Sequence, residues 1–279
     1  MKLMKVHEPV TRGSTMEKPM KAVLVAGGHG SRLLPFTRYM QKAMLPLHKR
    51  PVIDFALGFI RRTGIKDITI IGNRFIGQIA QHVGVGLPGE NIHYVIEEEP
   101  LGVAYALNLA RPHVEGSRLM VYFSDNITTA DLIDEVAMWK NSEEPPGCLL
   151  LGRSIDDPRA FGVGVFNENN QLIDIVEKPT NPPSNIAIGG IYLYDERFWE
   201  LIDENLATEE DGFSITDLNK KYIAMGKAHL KDLGDEEWLD CGTPDALLRA
   251  AQLARDGRLS PEPCNIRDGD PIPHGYSKE

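Results

Sequence analysis

The chain has 279 residues, of which 42% are hydrophobic and 25% are charged, and its formal net charge at pH 7 is −10. This composition is typical of a globular protein with a sizeable core, and the length permits a single large α/β domain. The acidic balance argues against a nucleic-acid scaffold, which needs many cationic contacts to phosphate groups. We therefore expect no nucleic-acid partner.

Disulfide, zinc and membrane sites are also unexpected. Cys148, Cys241 and Cys264 lie far apart, without CxxC or Cys/His metal spacing. The first 20 residues lack the apolar run of a signal peptide, and no apolar stretch reaches the ~18 residues that a membrane helix needs. We expect a cytoplasmic protein with no membrane partner.

Helices and strands alternate along the first half of the chain. Continuous apolar runs predict buried strands over 22–26, 68–72, 92–98 and 118–126. Apolar residues at helical spacing predict helices over 52–64, 76–84, 102–114 and 131–140. This order predicts a parallel sheet with helices on both faces, and with ligands at the carboxyl ends of its strands.

The pattern changes after about Cys148. Shorter apolar runs (CLLLGRSI, GVGVFN, QLIDIVEKP and AIGGIYLYD) predict an antiparallel extension of the sheet, and helices follow over 198–206, 215–226 and 244–257. The proline-rich residues from Ser260 onward predict an extended or mobile tail. We divide the chain into an N-terminal extension (1–20), one domain (21–255) and a C-terminal tail (256–279).

The most distinctive segment, GGHGSRLLPFTRYMQKAMLPL, spans residues 27–47 and follows the first predicted strand. Its glycines allow backbone N–H groups to approach phosphates closely, and Arg32 and Lys42 can offset the charge of a triphosphate. The segment lacks the third glycine of a dinucleotide fingerprint and the GK[ST] of a P-loop. A structural turn would explain the glycines alone, and we interpret His29 as a solvated position.

The same segment resembles the signature GGxG[ST]RLxPxTxxxPKxMLP of the sugar-1-phosphate nucleotidyltransferases, a family that includes glucose-1-phosphate thymidylyltransferase and mannose-1-phosphate guanylyltransferase. Further matches in the family's order are EEEPLGVAYAL (97–107), SDN (124–126), EKP (177–179) and WLDCGTPDALLRA (238–250). The resemblance implies an α/β fold, a Rossmann-like three-layer αβα nucleotidyltransferase fold with a mixed, mostly parallel central sheet. It makes residues 21–255 a catalytic domain.

The resemblance also implies roles for the motif residues. Arg32, Lys42 and Asp125 are expected to be catalytic, and Asp125 and Asp240 are expected to hold Mg²⁺. Nucleotide-binding residues are expected at Ala26, Gly27, Gly28, Gly30, Ser31, Glu97, Pro100, Gly102 and Ser124. Sugar-phosphate-binding residues are expected at Asn126, Gly162, Glu177, Lys178, Gly189, Gly190 and Trp238. Taken singly, Asp125 also suits a helix cap, and Glu177 and Lys178 also suit a surface ion pair.

These groups imply a reaction between a nucleoside triphosphate and a sugar 1-phosphate. The sugar phosphate oxygen attacks the α-phosphorus, and pyrophosphate leaves. Arg32, Lys42 and Mg²⁺ stabilise the charge that develops, so that no protein nucleophile is needed.

Several positions depart from the family pattern. Gln41 replaces a proline of the signature, from which we expect a less rigid loop before Lys42. Glu97 stands where thymidylyl and uridylyl members usually have glutamine. A carboxylate only accepts hydrogen bonds, which suits the N1–H and exocyclic amine of guanine or the amine of cytosine. The EEEPLG segment also resembles guanylyl members, so we favour GTP. Ser214 replaces a glutamate of EITDLN, which suggests an unusual sugar or polyol phosphate, and Ala43 replaces a polar residue.

Three alternatives stay open. One is a thymidylyl- or uridylyltransferase for glucose 1-phosphate, and another is a cytidylyltransferase for a non-sugar phosphate or phosphonate. The third is a regulatory subunit that binds a nucleotide sugar without catalysis, although Arg32, Lys42, Asp125 and Asp240 are all present. A homo-oligomer is compatible with the sequence.

Overall fold

The computed structural model describes residues 19–99, 101–144, 146–206 and 214–261. Pro100, predicted to bind the nucleotide, lies outside these residues. So do most of the predicted N-terminal extension and residues 262–279 of the predicted tail.

The helices and strands follow the predicted alternation closely. The strands are β1 Met20–Ala26, β2 Pro46–Leu47, β3 Arg50–Pro51, β4 Asp67–Gly72, β5 Asn91–Ile96, β6 Arg118–Phe123, β7 Asn126–Thr128, β8 Cys148–Ser154, β9 Gly162–Phe166, β10 Leu172–Glu177, β11 Ile186–Tyr194, β12 Ala228–Asp232 and β13 Trp238–Asp240. The α-helices are α1 Val52–Arg62, α2 Ile76–Val83, α3 Val103–Val114, α4 Ile133–Asn141, α5 Phe198–Leu206, α6 Ile215–Ala224 and α7 Pro244–Arg255. Short 3₁₀ helices occupy Ser31–Leu33, Phe36–Arg38 and Lys42–Met44.

Nine of these strands form one mixed sheet within the described ranges. Its main path runs β10-β9-β11-β6-β1-β4-β5, and β8 pairs with both β11 and β12. Parallel pairs join β1 to β4 and β6, β4 to β5, and β8 to β12. Strand β11 runs antiparallel to β6, β8 and β9, and β10 runs antiparallel to β9. The predicted mixed sheet with a parallel centre is confirmed.

Helices cover both faces of this sheet. Side chains alternate between the faces along β1, so that Ala22 and Leu24 enter one apolar core and Val23 enters the other. The first core includes residues of α1, α2 and α4, and the second includes residues of α3, α5 and α6. This confirms the predicted three-layer αβα fold of the α/β class. No helix in the described part of the chain is long and apolar enough to cross a membrane.

Helix α7 packs over the glycine-rich segment in a third apolar core. Leu33 and Leu45 of that segment share this core with Leu253 of α7 and with Leu259. Arg62 donates a hydrogen bond to the Ser260 carbonyl at 2.9 Å. The first residues of the predicted tail, 256–261, therefore pack on the domain.

A separate antiparallel ladder of β7 and β13 lies beside the main sheet. Its register pairs Trp238 with Thr128 and Asp240 with Asn126. The sequence pattern placed Asp125 and Asn126 at the end of one long strand, whereas β6 ends at Phe123 and a turn separates it from β7. This ladder brings the SDN and WLDCGT motifs together.

Candidate active site

A cavity of about 530 Å³ lies beyond the carboxyl ends of β1 and β6, and its wall joins motifs from both halves of the chain. The predicted site residues that line it are Ala26, Gly27, Gly28, Arg32, Lys42, Glu97, Gly102, Ser124, Asp125, Asn126, Gly162, Glu177, Lys178, Gly190, Trp238 and Asp240. Its position agrees with the expectation that ligands bind at the carboxyl ends of parallel strands.

Three predicted site residues lie away from this wall. Gly30 adopts a left-handed turn with φ of 61°, and its carbonyl accepts a hydrogen bond from Thr37 Oγ1 at 2.7 Å. Ser31 is exposed and begins the 3₁₀ helix that carries Arg32. Gly189 lies beneath Trp238, where an added Cβ would approach the indole nitrogen to 3.0 Å. Gly30 and Gly189 thus shape the site through turn geometry and close packing.

The glycine-rich segment packs directly against Glu97. An added Cβ at Gly27 would collide with the Glu97 carboxylate, so that a larger residue here would displace the Glu97 side chain. Glu97 is 7% exposed, and burial raises its pKa while the charge of His29 lowers it. His29 itself is exposed, as predicted, although it lines the cavity.

Gln41 is held firmly just before Lys42. It is 1% exposed, and its side chain donates to the Ala26 carbonyl and accepts from the Lys42 N–H, the latter at 2.7 Å. The predicted less rigid loop is therefore wrong. The amide groups of glutamine supply hydrogen bonds that tie the loop to the end of β1.

Two cations and two carboxylates meet at the end of the cavity next to this segment. Lys42 Nζ forms an ion pair with Asp125, and Arg32 Nη2 lies 3.4 Å from Asp240 Oδ2. Burial raises the pKa of Asp240, the Asp125 carboxylate raises it further, and Lys42 and Arg32 oppose both effects. The cationic side chains at this end can bind phosphate groups, and the carboxylates can bind a cation.

The two carboxylates suit a magnesium ion. Asp240 Oδ1 is buried and has no hydrogen-bond partner in the described residues, and a carboxylate oxygen is a ligand that Mg²⁺ prefers. The described ranges contain no cluster of three or more His, Cys, Asp or Glu side chains that could hold a metal ion. Such a sparse donor set agrees with an ion that completes its coordination with substrate phosphates and water.

Asn126 connects the carboxylate end of the cavity to β11 and Trp238. Its Oδ1 accepts hydrogen bonds from Trp238 Nε1 and from the Gly190 N–H, both at 2.8 Å. Its Nδ2 donates to Asp125 Oδ1 at 2.9 Å. An added Cβ at Gly190 would approach Asn126 Nδ2 to 2.6 Å, so that β11 needs glycine here. Asn126 thereby fixes Asp125 and Trp238 relative to β11.

Glu177 and Lys178 face the cavity from the end of β10. Thr216 Oγ1 donates to Glu177 Oε2 at 2.7 Å, and Lys178 Nζ lies 3.2 Å from Glu177 Oε1. Lys178 has a left-handed backbone with φ of 43°, which is uncommon for a residue with a side chain. Such strain is found at functional sites, although the Lys178 side chain is largely exposed.

The sequence analysis missed several residues of the wall, among them Phe161, Tyr192, Thr216 and Asn219. Thr216 and Asn219 lie three positions apart on one face of α6, and Tyr192 lies two positions from Gly190 on one face of β11. The helical spacing of Thr216 and Asn219 and the strand spacing of Gly190 and Tyr192 are the sequence signals that could have identified these residues.

Ser214 lines the cavity and also caps α6. Its hydroxyl donates to Asp217 Oδ2 at 2.5 Å and accepts from the Asp217 N–H at 3.2 Å in a capping box. The side chain that replaces the family's glutamate is therefore engaged within its own helix.

Comparison with known proteins agrees with this geometry. A model of the nucleotidyl transferase family matches residues 21–257. A glucose-1-phosphate thymidylyltransferase of Xanthomonas campestris pv. campestris is 34% identical over 236 residues, which cover 84% of this chain and 80% of that protein. The chain belongs to the nucleotidyl transferase family.

Solved structures give the same result. A crystal structure from Bacillus anthracis, described as a glucose-1-phosphate thymidylyltransferase in complex with sucrose, is 36% identical with a TM-score of 0.78. The match covers 85% of this chain and 96% of the Bacillus anthracis chain. UDP-glucose pyrophosphorylase with UDP-glucose, 18% identical with a TM-score of 0.73 over 86% of this chain and 99% of that chain, shares the fold. Within its family this chain is an enzyme, a sugar-1-phosphate nucleotidyltransferase.

Proposed function

We propose that the cavity joins a nucleoside triphosphate to a sugar 1-phosphate, with dTTP and glucose 1-phosphate as the leading substrates. The observation that carries this proposal is the meeting of Arg32 and Lys42 with Asp125 and Asp240 at one end of the cavity. A triphosphate needs cations and a metal ion at the same place, and this end offers two cationic side chains beside two carboxylates that could hold the metal. The opposite end offers Glu177 and Lys178 to the second substrate.

The triphosphate lies along the glycine-rich segment in this proposal. Backbone N–H groups at Gly27 and Gly28 bind its oxygens, because glycine permits that close approach. Arg32 and Lys42 stabilise the charge that develops as the sugar phosphate oxygen attacks the α-phosphorus and pyrophosphate leaves. Asp125 and Asp240 would hold Mg²⁺, and the ion would supply Lewis-acid chemistry there.

The sugar phosphate lies against β9, β10 and β11. Lys178 binds its phosphate and orients the attacking oxygen, since correct orientation provides a large part of catalysis in such reactions. Thr216 donates to Glu177 Oε2 and Lys178 pairs with Glu177 Oε1, and the further lone pairs of this carboxylate accept from a sugar hydroxyl. Asn126 and Gly190 complete this end of the site.

Glu97 reads the base in this proposal. Burial raises its pKa, and a bound base would remove more water from it, which favours the protonated carboxyl. A protonated carboxyl both donates and accepts, as an amide does, and this matches the imide edge of thymine or uracil. The similarity to glucose-1-phosphate thymidylyltransferases also supports dTTP as the nucleotide substrate.

GTP is the second candidate. An ionised Glu97 only accepts hydrogen bonds, and the N1–H and exocyclic amine of guanine are adjacent donors. The charge of His29, which lowers the pKa of Glu97, favours this state. The two candidates thus differ in the protonation of one carboxyl.

The test measures pyrophosphate release for each pairing of dTTP, UTP, GTP, CTP and ATP with a panel of phosphates and Mg²⁺. The panel holds the 1-phosphates of glucose, galactose, mannose and N-acetylglucosamine, with phosphocholine and a phosphonate for the cytidylyl alternative. We expect the highest kcat/KM with dTTP and glucose 1-phosphate. A preference for GTP would replace dTTP by the second candidate, and no release with any pair would defeat the proposed function.

A further inference from the structure

We propose that Gln41 and Gln78 are positioning residues that hold Lys42 in its catalytic position, in place of the proline that the family signature carries before this lysine. Gln41 lies in the loop and Gln78 lies on α2. The inference rests on the proposed role of Lys42 in stabilising charge at the α-phosphorus. Neither glutamine lines the cavity, so both would act through Lys42.

The backbone at Gln41 already has the geometry that proline would impose. Its φ is −65° and its ψ is 136°. A proline ring fixes φ near this value covalently, whereas glutamine can rotate freely in the absence of other contacts. Hydrogen bonds must therefore fix Gln41 if Lys42 is to start its 3₁₀ helix at a constant place.

Both ends of the Gln41 side chain are bonded to the segments that Lys42 depends on. The amide nitrogen donates to the carbonyl of Ala26, the last residue of β1. The amide oxygen accepts from the Lys42 N–H at 2.7 Å and so caps the 3₁₀ helix. One side chain thus ties Lys42 to the central strand of the sheet.

Gln78 holds the same loop from the opposite side. Its Oε1 accepts from the Gln41 N–H at 2.8 Å, a bond that proline could not make. Its Nε2 donates to the Tyr39 carbonyl at 3.1 Å. The two bonds bracket the residues that precede Lys42.

Helix α2 provides a rigid base for Gln78. Ile76 and Ile79 are buried against the sheet, and His82 Nε2 lies 2.6 Å from Asp54 Oδ1 on α1. Asn73, just before α2, donates to the Gly27 carbonyl at 3.3 Å. Helix α2 therefore contacts the loop before Lys42, and the residue Asn73 that precedes the helix contacts the glycine turn.

Displacement of the loop would move Lys42 away from the phosphates. The Lys42 side chain is 12% exposed and pairs with Asp125, so that its Nζ lies at the carboxylate end of the cavity. Charge stabilisation falls steeply when a cation is misplaced by about 1 Å, which can cost about a hundredfold in rate. The cost should appear mainly in kcat, because the charge develops in the transition state.

The test compares Gln41→Ala, Gln41→Pro, Gln78→Ala and the double variant Gln41→Pro/Gln78→Ala in the full chain. Gln81→Ala is the matched control, since Gln81 lies on the same helix but is exposed. For each protein the readouts are Tm, and kcat and KM for the nucleotide with its best sugar 1-phosphate. Lys42→Ala reports whether the lysine itself is needed.

We expect Gln41→Ala and Gln78→Ala to lower kcat by about tenfold with a much smaller change in KM. Gln41→Pro should restore most of the kcat lost in Gln41→Ala, because proline fixes the same φ. In the Gln41→Pro background, Gln78→Ala should have little further effect on kcat. Gln81→Ala should resemble the wild type.

Two results would overturn the inference while Lys42→Ala is inactive. One is a Gln78→Ala variant with the kcat of Gln81→Ala, and the other is a Gln41→Pro variant no better than Gln41→Ala. If Lys42→Ala keeps normal kcat, the proposed role of Lys42 fails instead, and the inference fails with it.

Discussion

Asp240 lies opposite Asn126 in the β7–β13 ladder, and this register sets the Asp240 carboxylate beside that of Asp125. The two carboxylates repel each other, as the effect of Asp125 on the pKa of Asp240 shows. One oxygen of Asp240 is also buried without a hydrogen bond among the described residues. An arrangement that costs stability in this way is consistent with a site kept for a cation.

Magnesium should therefore stabilise the protein through these carboxylates. A ligand at a hundred times its Kd adds about 2.7 kcal/mol to the free energy of unfolding, which corresponds to a rise in Tm of several degrees. We expect Mg²⁺ to raise the Tm of the wild type and to leave that of Asp240→Asn unchanged. Asp245→Asn, an exposed aspartate on α7, is the control and should respond as the wild type does. Equal shifts in all three proteins would exclude Asp240 as a ligand.

Arg32 should affect turnover without affecting the fold. Its side chain is 56% exposed and its ion pair with Asp240 is long at 3.4 Å, so its removal costs little stability. We expect Arg32→Ala to lower kcat by about a hundredfold to a thousandfold, as for the loss of one preorganised donor at a developing charge. Steady-state kinetics and Tm measure the two effects. Arg38→Ala, at an exposed residue of the next 3₁₀ helix, should be normal in both, and near-normal turnover of Arg32→Ala would count against its catalytic role.

Gly242 should be needed for the position of Arg32. An added Cβ there would collide with the Arg32 guanidinium and approach Asp240 Oδ1 to 3.0 Å. We expect Gly242→Ala to lower kcat by about tenfold or more, because both groups would be displaced from the phosphate end. Gly77→Ala is the control, since an added Cβ at that position meets nothing within 4 Å. If the two variants have the same kcat, Arg32 does not need its present position.

Glu97 should make stability depend on pH. Its pKa is raised in the folded protein, so folding is penalised once the carboxyl must ionise. Below about pH 4 the carboxyl is protonated in both states and the penalty vanishes, and it grows as pH rises through the folded pKa. We expect Glu97→Gln to have a higher Tm than the wild type at pH 7 to 8, with a difference that shrinks toward pH 4. Glu98→Gln, at an exposed carboxyl, should show no such trend, and a constant Glu97→Gln difference would contradict this account.

Local sequence patterns predicted most of the helices and strands. Continuous apolar runs located β1, β4 and β6, and helical spacing located α1, α2 and α3 to within a few residues. Short strands were harder to predict from the sequence. β7 and β12 were not predicted, because short strands depend on tertiary packing more than on their own periodicity.

Residues of the candidate site were predictable where a sequence motif contained charged side chains of characteristic chemistry. Arg32, Lys42, Asp125 and Asp240 line one cavity as the motifs implied. Gln41 was misinterpreted because the comparison with proline considered only backbone freedom, whereas its side chain forms compensating hydrogen bonds. The preference for GTP stays a prediction that depends on an ionised Glu97, and the burial and the His29 charge that act on its pKa in opposite directions are visible only in three dimensions.

Product formation tests the central claim most directly. The purified chain, Mg²⁺ and dTTP are incubated with and without glucose 1-phosphate, and both pyrophosphate and nucleoside diphosphate sugar are quantified. A nucleotidyl transfer at this cavity predicts equal amounts of the two products, formed only when both substrates are present, and their loss in Lys42→Ala. Pyrophosphate release from dTTP alone at the same rate, or equal product formation by Lys42→Ala, would contradict it.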